Sequence, residues 1–315
     1  MTAREATIIA DYPAARPAVA ERESGLRAPA PQPKLDRGLY QPPSRILRPL
    51  GVQPERQRVL DDLRVALESP DQLSLVFQPR VDLATGRCLA VEALLRWQHP
   101  TLGQVSPAVF IPVVEADPLI GQLTDWVLNT ALSFGAQLEK SGHDIQISAN
   151  VSPANLVVGY FVGRLVELLR THGMPTSKLE LEFTEGALIG DDDRTRRQLN
   201  QIRRIGIGVS IDDFGAGYSN LGYLRNIPAD IIKIDRSLVQ TIDTDPASAT
   251  IMKWLIDLAH QLHLRVVAEG IETAEVQAML SGWGCDEGQG YFISRPMPGS
   301  NLLAWIDERE PALTR

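Results

Sequence analysis

The sequence predicts an α/β fold, a TIM-like (β/α)8 barrel of about 250 residues behind a proline-rich N-terminal arm. Three observations predict it. Short runs rich in Val, Ile and Leu recur along residues 55–315, amphipathic helical patterns lie between most of them, and carboxylates gather where the runs end.

The arm comes first in the chain. Residues 1–54 carry Pro13, Pro17, Pro29, Pro31, Pro33, Pro42, Pro43, Pro49 and Pro54 among scattered Arg and Ala. Proline at that density removes backbone donors and blocks helix interiors, which predicts a disordered or extended segment. Apolar residues return in YQPPSRILRPL (40–50), and the alternative is a docking segment for a regulatory partner whose identity the sequence leaves open. Removing residues 1–50 is expected to leave the barrel's melting temperature unchanged. A large drop in a thermal melt would show that the arm packs on the barrel.

From Glu55 the texture changes. ERQRVLDDLRVALESP spaces Leu60, Leu63 and Leu67 along one side of a helix. Strand-like runs follow at 74–78, 88–95, 145–150, 179–183, 208–212, 231–234, 265–268 and 290–293. Between them, Phe161, Leu165, Leu168 and Leu169 form one helical face, and Ile251, Trp254, Leu255, Leu258 and Leu262 form another. Eight such strands suggest closure into a barrel; an open doubly wound sheet is the competing architecture.

Bulk properties narrow the function classes. A net charge of −8 argues against binding a nucleic-acid polymer, which wants a basic face. No apolar run approaches the roughly 18 residues of a membrane span, and the start lacks the apolar stretch of a secretory leader, so the expected location is cytoplasmic. Cys88 and Cys285 are the two cysteines, too few for a disulfide framework or a zinc pattern; they read as buried reduced thiols. His260 and His263 lack the glutamate of a helical zinc motif, and His99 reads as local packing.

In folds of this class chemistry collects at the C-terminal strand ends. There the sequence puts Glu92 with Arg96, then Asn150, then Glu182 with Glu185. Asp212 and Asp213 end the fifth run, Lys233 and Asp235 mark the sixth, Glu269 and Glu272 follow the seventh, and Gln289 precedes the eighth. Any one acid there is explained by capping the next helix. Glu92, Glu182, Asp212, Asp213 and Glu269 on one narrow rim are not, because five carboxylates repel unless cations compensate them. Oxygen donors without His or Cys suit Mg²⁺ or Mn²⁺, and their number suggests two ions. Adjacent aspartates serve one site only if the strand ends between them, since successive side chains alternate faces; Gly215 and Gly217 permit such a turn.

At this point the motifs resemble a known family. Glu92-Ala93-Leu94 with Leu95-Arg96-Trp97 is similar to the signature of the EAL domain, the bacterial phosphodiesterase of cyclic di-GMP. Phe77-Gln78-Pro79, Pro107, Phe110-Ile111-Pro112, Asn150-Val151-Ser152 and Leu181-Glu182-Phe183-Thr184-Glu185 match further family segments. So do Asp212-Asp213-Phe214-Gly215, Lys233-Ile234-Asp235, Ala268-Glu269-Gly270-Ile271-Glu272-Thr273, Gln289-Gly290-Tyr291 and Arg295-Pro296-Met297. The likeness runs from about residue 56 to about residue 310.

The resemblance implies a modified TIM barrel with one antiparallel strand, and two-metal hydrolysis of cyclic di-GMP to linear pGpG. It implies Glu92, Asn150, Glu182, Asp212, Asp213 and Glu269 as ligands of two Mg²⁺ or Mn²⁺ ions. Lys233 orients the attacking water, Glu269 is a ligand that in one alternative also takes a proton, Gln78 and Arg96 contact substrate, Gln289 supports the site, and Glu185 holds the 212–220 loop. Family members often dimerise near that loop, and a homodimer stays open. Ala216 and Asn220 stand where the family has Thr and Ser, Arg80 where Ile or Val is usual, and Asp117-Pro118 where Glu/Thr-Gly is common. The alternative function is a silent module that binds cyclic di-GMP or a protein without hydrolysis; the intact ligand set argues for the enzyme.

Overall fold

A computed structural model describes residues 53–185, 193–216, 224–225 and 227–313. The arm up to residue 52, and residues 217–220 of the glycine loop, lie outside the described residues. Nine strands form one sheet among them: β1 (Leu73–Asp82), β2 (Cys88–His99), β3 (Gly103–Val105), β4 (Gln146–Asn150), β5 (Leu179–Thr184), β6 (Gly208–Phe214), β7 (Ile231–Ile234), β8 (Arg265–Ala268) and β9 (Glu287–Gly288). From β4 to β9 each strand pairs in parallel with the next, and β2 pairs in parallel with β4. β1 runs antiparallel to both β2 and β9 and closes the ring. Eight strands therefore make a closed barrel with one antiparallel member, and the open-sheet alternative falls. β3 only extends β2 as a short hairpin.

Three expectations are corrected. The last strand is Glu287–Gly288, not 290–293; residues 291–293 form a turn, held by Phe292 N–H to Ile271 O and Ile293 N–H to Gly290 O. Gln289 thus follows the final strand instead of preceding it. The helix Pro246–Gln261 buries Met252, Leu255, Ile256 and Ala259, while Ile251 and Trp254 are half exposed. A stripe of large apolar residues drew the face about one position out of register, since Ile256 and Ala259 complete the core-facing side. Cys88 is only partly buried, Cys285 is buried, and neither forms a disulfide. The face of Phe161–His172 is buried as expected.

The barrel wall shows why LELEF makes a fully buried strand although it alternates. Leu179, Leu181 and Phe183 join the aliphatic core between sheet and helices, where each buried side chain contributes about 1.5–3 kcal/mol. Glu180 and Glu182 point into the barrel and are equally buried. The interior is polar, and ion pairs replace the usual layers of branched aliphatic residues.

At the floor, Arg80 donates two hydrogen bonds to Glu180, at 2.9 and 2.7 Å, and its Nε lies 2.6 Å from Glu287. Glu287 also accepts from Arg265 at 2.5 Å. Burial opposes the Arg80 charge, but Glu180 and Glu287 outweigh it and hold the guanidinium above its ordinary range. The departure noted at residue 80 is thus a planar fork matched to two acids. Arg80→Lys, which keeps charge but loses the fork, is expected to cost about 2 kcal/mol. That is a fall of about 5 °C in melting temperature, and an unchanged melt would remove the fork's structural role.

Candidate active site

The upper barrel interior is organised around one ammonium. Lys233 on β7 is 1 % exposed. Its Nζ lies 2.7 Å from Glu182, 2.8 Å from Glu269, 2.9 Å from Asp212 and 3.7 Å from Glu92. The Glu182 contact is a well-formed hydrogen bond; Asp212 Oδ1 approaches off the hydrogen-bonding angle, so that contact is mainly Coulombic. Strand register explains the convergence. Gln78 pairs with Glu92, Glu92 with Ser148, Asn150 with Glu182, and Glu182 with Ser210, which staggers the acids around one wall.

Amides hold the first of them. Asn150 Nδ2 donates to Glu92 Oε1 at 2.9 Å. Gln289 Nε2 donates to Glu92 Oε2 at 2.6 Å and to Gln78 Oε1 at 3.0 Å. Gln78 in turn donates to Ser294 O at 3.0 Å. Gln78 and Gln289 therefore form a bracket behind Glu92.

Asp213 solves the adjacency problem in an unexpected way. The strand does not stop between the aspartates. Asp213 itself adopts φ +55°, and the β6–β7 register shifts between Ile211 and Phe214. This bulge swings the second carboxylate onto the same side as the first. A left-handed conformation is disfavoured by about 1–3 kcal/mol, and aspartate tolerates it better than most residues. Gly215 follows at φ +93°; Gly217, the other glycine expected to make the turn, lies outside the described residues. Carboxylate oxygens of Asp212, Asp213 and Glu269 come within 4.8 Å of one another.

The tails of the motifs aim these side chains. Asp235 accepts from Ser237 N–H and caps Arg236–Val239. Thr273 caps Ala274–Gly282 through Val276 N–H. Gly270 turns at φ +70°, and a Cβ there would overlap the Arg236 side chain. Glu272 accepts from Gln240 at 2.8 Å, away from the ammonium. Glu185 accepts from Gly215 N–H at 3.3 Å, which ties β5 to the start of the glycine loop. Arg96 donates to Leu95 O at 2.9 Å and lines a cavity of about 490 Å³ together with Asn150, Glu182 and Asp213. His99 accepts from Thr101 and Leu102 N–H as local packing, and His260 pairs with Asp286 at 2.9 Å.

The charges set the protonation pattern. Burial works against Lys233, but Asp212, Glu182, Glu269 and Glu92 hold it well above the usual lysine range. Burial, then the adjacent Glu92, push Glu182 up against the pull of Lys233. Burial likewise opposes Glu92, yet Lys233, Gln289 and Asn150 bring it below the ordinary value. Asp213 is raised by burial and by Asp212 and Asp235. Glu269 is pushed up to about 8, by burial first, with repulsion from Asp212 and Glu92 opposing Lys233.

Glu269 has a consequence for stability. Its usual value is 4.5, so between about 4.5 and 8 the folded chain binds more protons than the unfolded one. Stability therefore falls as pH rises through that window. The melting temperature of the chelator-treated chain is expected to decline there, and saturating Mg²⁺ to flatten the decline. A metal-free profile that rises instead would contradict the assigned surroundings of Glu269.

The donor set fits hard divalent cations. Five carboxylates facing one ammonium leave four uncompensated negative charges when all are ionised, the charge of two such ions. Glu182 Oε1 is buried with no hydrogen-bond donor among the described residues, as an oxygen left for a cation would be.

Sequence reasoning missed two groups at this end. Tyr291 and Arg236 line a second recess of about 280 Å³ with Asp212, Asp213, Glu269 and Gln289. Tyr291 closes the Gln289-Gly290-Tyr291 motif but was expected inside a strand, and Arg236 stands one residue past the Lys233-Ile234-Asp235 motif; motif membership and adjacency were the signals.

Fold and site together define an eight-stranded barrel with an acidic rim gathered about a buried lysine. The EAL domain family model matches residues 60–296, and the chain belongs to the EAL domain family. Cyclic di-GMP phosphodiesterase PA2567 of Pseudomonas aeruginosa is 43% identical over 248 residues, covering 79% of this chain and 42% of that protein. The chain thus spans less than half the length of this curated relative. The solved structure of a PaMucR phosphodiesterase–c-di-GMP complex superposes with a TM-score of 0.73 at 39% identity, over 78% of this chain and 99% of that one. EAL enzyme Bd1971, bound to cAMP and cyclic-di-GMP, gives a TM-score of 0.74 at 34% identity, over 81% of this chain and 70% of that one.

Proposed function

We propose that the chain hydrolyses one phosphodiester of cyclic di-GMP, giving linear pGpG, with two Mg²⁺ or Mn²⁺ ions at the acidic rim. One observation carries this reading: Glu92, Glu182, Asp212 and Glu269 converge on Lys233, and Asp213 is swung in beside them. The activities of the relatives named above support it.

Glu92, Asn150, Glu182, Asp212, Asp213 and Glu269 would hold the ions. Bound, the ions supply Lewis acidity toward water and phosphate oxygens in an in-line displacement. The chain's own residues do the rest. Lys233, held above its ordinary pKa, stays protonated and donates a hydrogen bond to the attacking water. Glu269, in one alternative, also takes a proton from that water. Arg96, on the wall of the larger cavity, presents a planar fork to a phosphate. Gln78 and Gln289 hold Glu92 in place, and Glu185 holds the loop after Asp213.

The test is conversion of cyclic di-GMP to pGpG by the purified chain with Mg²⁺ or Mn²⁺. Turnover that stops on chelation and returns with metal is expected. Binding without turnover under those conditions would favour a silent receptor.

A further inference from the structure

The recess of about 280 Å³ holds an aromatic ring that hydrolysis of a phosphodiester does not require. Tyr291 lines it beside Asp212, Asp213, Glu269 and Arg236. The Arg295 guanidinium covers one face of the ring, 4.2 Å from its centroid, and Tyr291 is still 53 % exposed. An exposed tyrosine free to rotate would be ordinary surface. This one is fixed from beneath. A Cβ on Gly290 would overlap the Ile271 backbone, so only glycine lets the two segments meet. Ile271 N–H donates to Gln289 O at 3.1 Å, and Phe292 N–H donates to Ile271 O at 3.0 Å. The segment carrying Tyr291 is thereby sewn to the segment carrying Glu269. Gln289, two residues before Tyr291, bonds Glu92 directly.

Deepening the phosphodiesterase reading and resting on it, we infer that Tyr291 is the stacking platform for a guanine of the substrate, with Arg295 holding the ring in place. A flat π-face at the edge of a phosphate-handling site fits a purine, and base–aromatic stacking contributes to nucleotide affinity. Arg295 over the other face keeps the ring in one pose, which lowers the ordering loss on binding. Tyr291 would thus favour substrates that carry a base over diesters that do not.

The experiment compares the full chain with Tyr291→Ala, Tyr291→Phe and Phe292→Ala on cyclic di-GMP and on its abasic analogue, the cyclic diribose bis-phosphodiester that lacks both bases. Tyr291→Ala is expected to raise KM for cyclic di-GMP about tenfold with little change in kcat, and to leave the abasic diester unaffected. Tyr291→Phe keeps the ring and the KM. Phe292→Ala, next door but outside the recess, also keeps it. An unchanged KM in Tyr291→Ala overturns the inference, as does an equal loss on both substrates or a loss in Tyr291→Phe matching that in Tyr291→Ala. If the unmodified chain hydrolyses neither substrate, the phosphodiesterase reading fails separately. Calorimetric titration with cyclic di-GMP then decides the stacking: a tenfold weaker Tyr291→Ala supports it, and affinities equal to the unmodified chain, or no binding by either, overturn it.

Discussion

Glu92→Ala is expected to abolish turnover of cyclic di-GMP while the chain stays folded. Glu92 accepts from Asn150 and Gln289 and faces Lys233 at 3.7 Å, so its removal opens the rim where a cation would bind. Loss of several kcal/mol of metal-dependent stabilisation corresponds to a rate drop of about 1000-fold or more. Stability falls far less than activity. The substitution strands amide donors of Asn150 and Gln289 and removes a carboxylate that, despite burial, Lys233, Gln289 and Asn150 hold below its ordinary value, a loss of about 2 kcal/mol, while Gln289 keeps its bond to Gln78. A melting temperature lowered by about 5 °C, with the chain folded and turnover gone, separates loss of chemistry from loss of fold. Turnover at the original rate would mean that the site lies elsewhere.

Lys233→Met has the second large effect, and it falls on stability. In the metal-free chain this buried ammonium is, among the described residues, the one positive group paired with Glu92, Glu182, Asp212 and Glu269. Taking one partner from a buried ion network costs about 3–5 kcal/mol, or about 10 °C in melting temperature for a domain of this size. Divalent cations offset the same repulsion, so Mg²⁺ should restore much of the lost melting temperature while turnover stays low. A melting temperature unaffected by the substitution, or a loss that Mg²⁺ does not reduce, would show that Lys233 is not the keystone of the acid cluster.

Much of this was legible in the sequence because it rests on strand ends. Apolar runs located β2, β4, β5, β6, β7 and β8, and each delivered its motif to one rim, as parallel strands in a closed barrel must. What was not legible depends on backbone detail or on pairing across the barrel. The φ of Asp213 is set by a bulge that no composition signals. Glu180 alternates with leucines as a solvent-facing residue does, yet it lies buried against Arg80; the clue was an arginine in an apolar place one hundred residues earlier. GYFI has strand composition but turns, because Gly290 must lie flat on Ile271 and the barrel is already closed by Glu287–Gly288. Trp254 and Ile251 were assigned inward because periodicity ranks residues by hydrophobicity and cannot see which neighbours a helix meets.

The central claim is that the acids gathered about Lys233 bind paired divalent ions. Calorimetric titration of the chelator-stripped chain with Mn²⁺ tests it most directly. Two Mn²⁺ per chain are expected, falling to one or none in Asp213→Asn. No bound Mn²⁺, or binding that Asp213→Asn leaves intact, would contradict it.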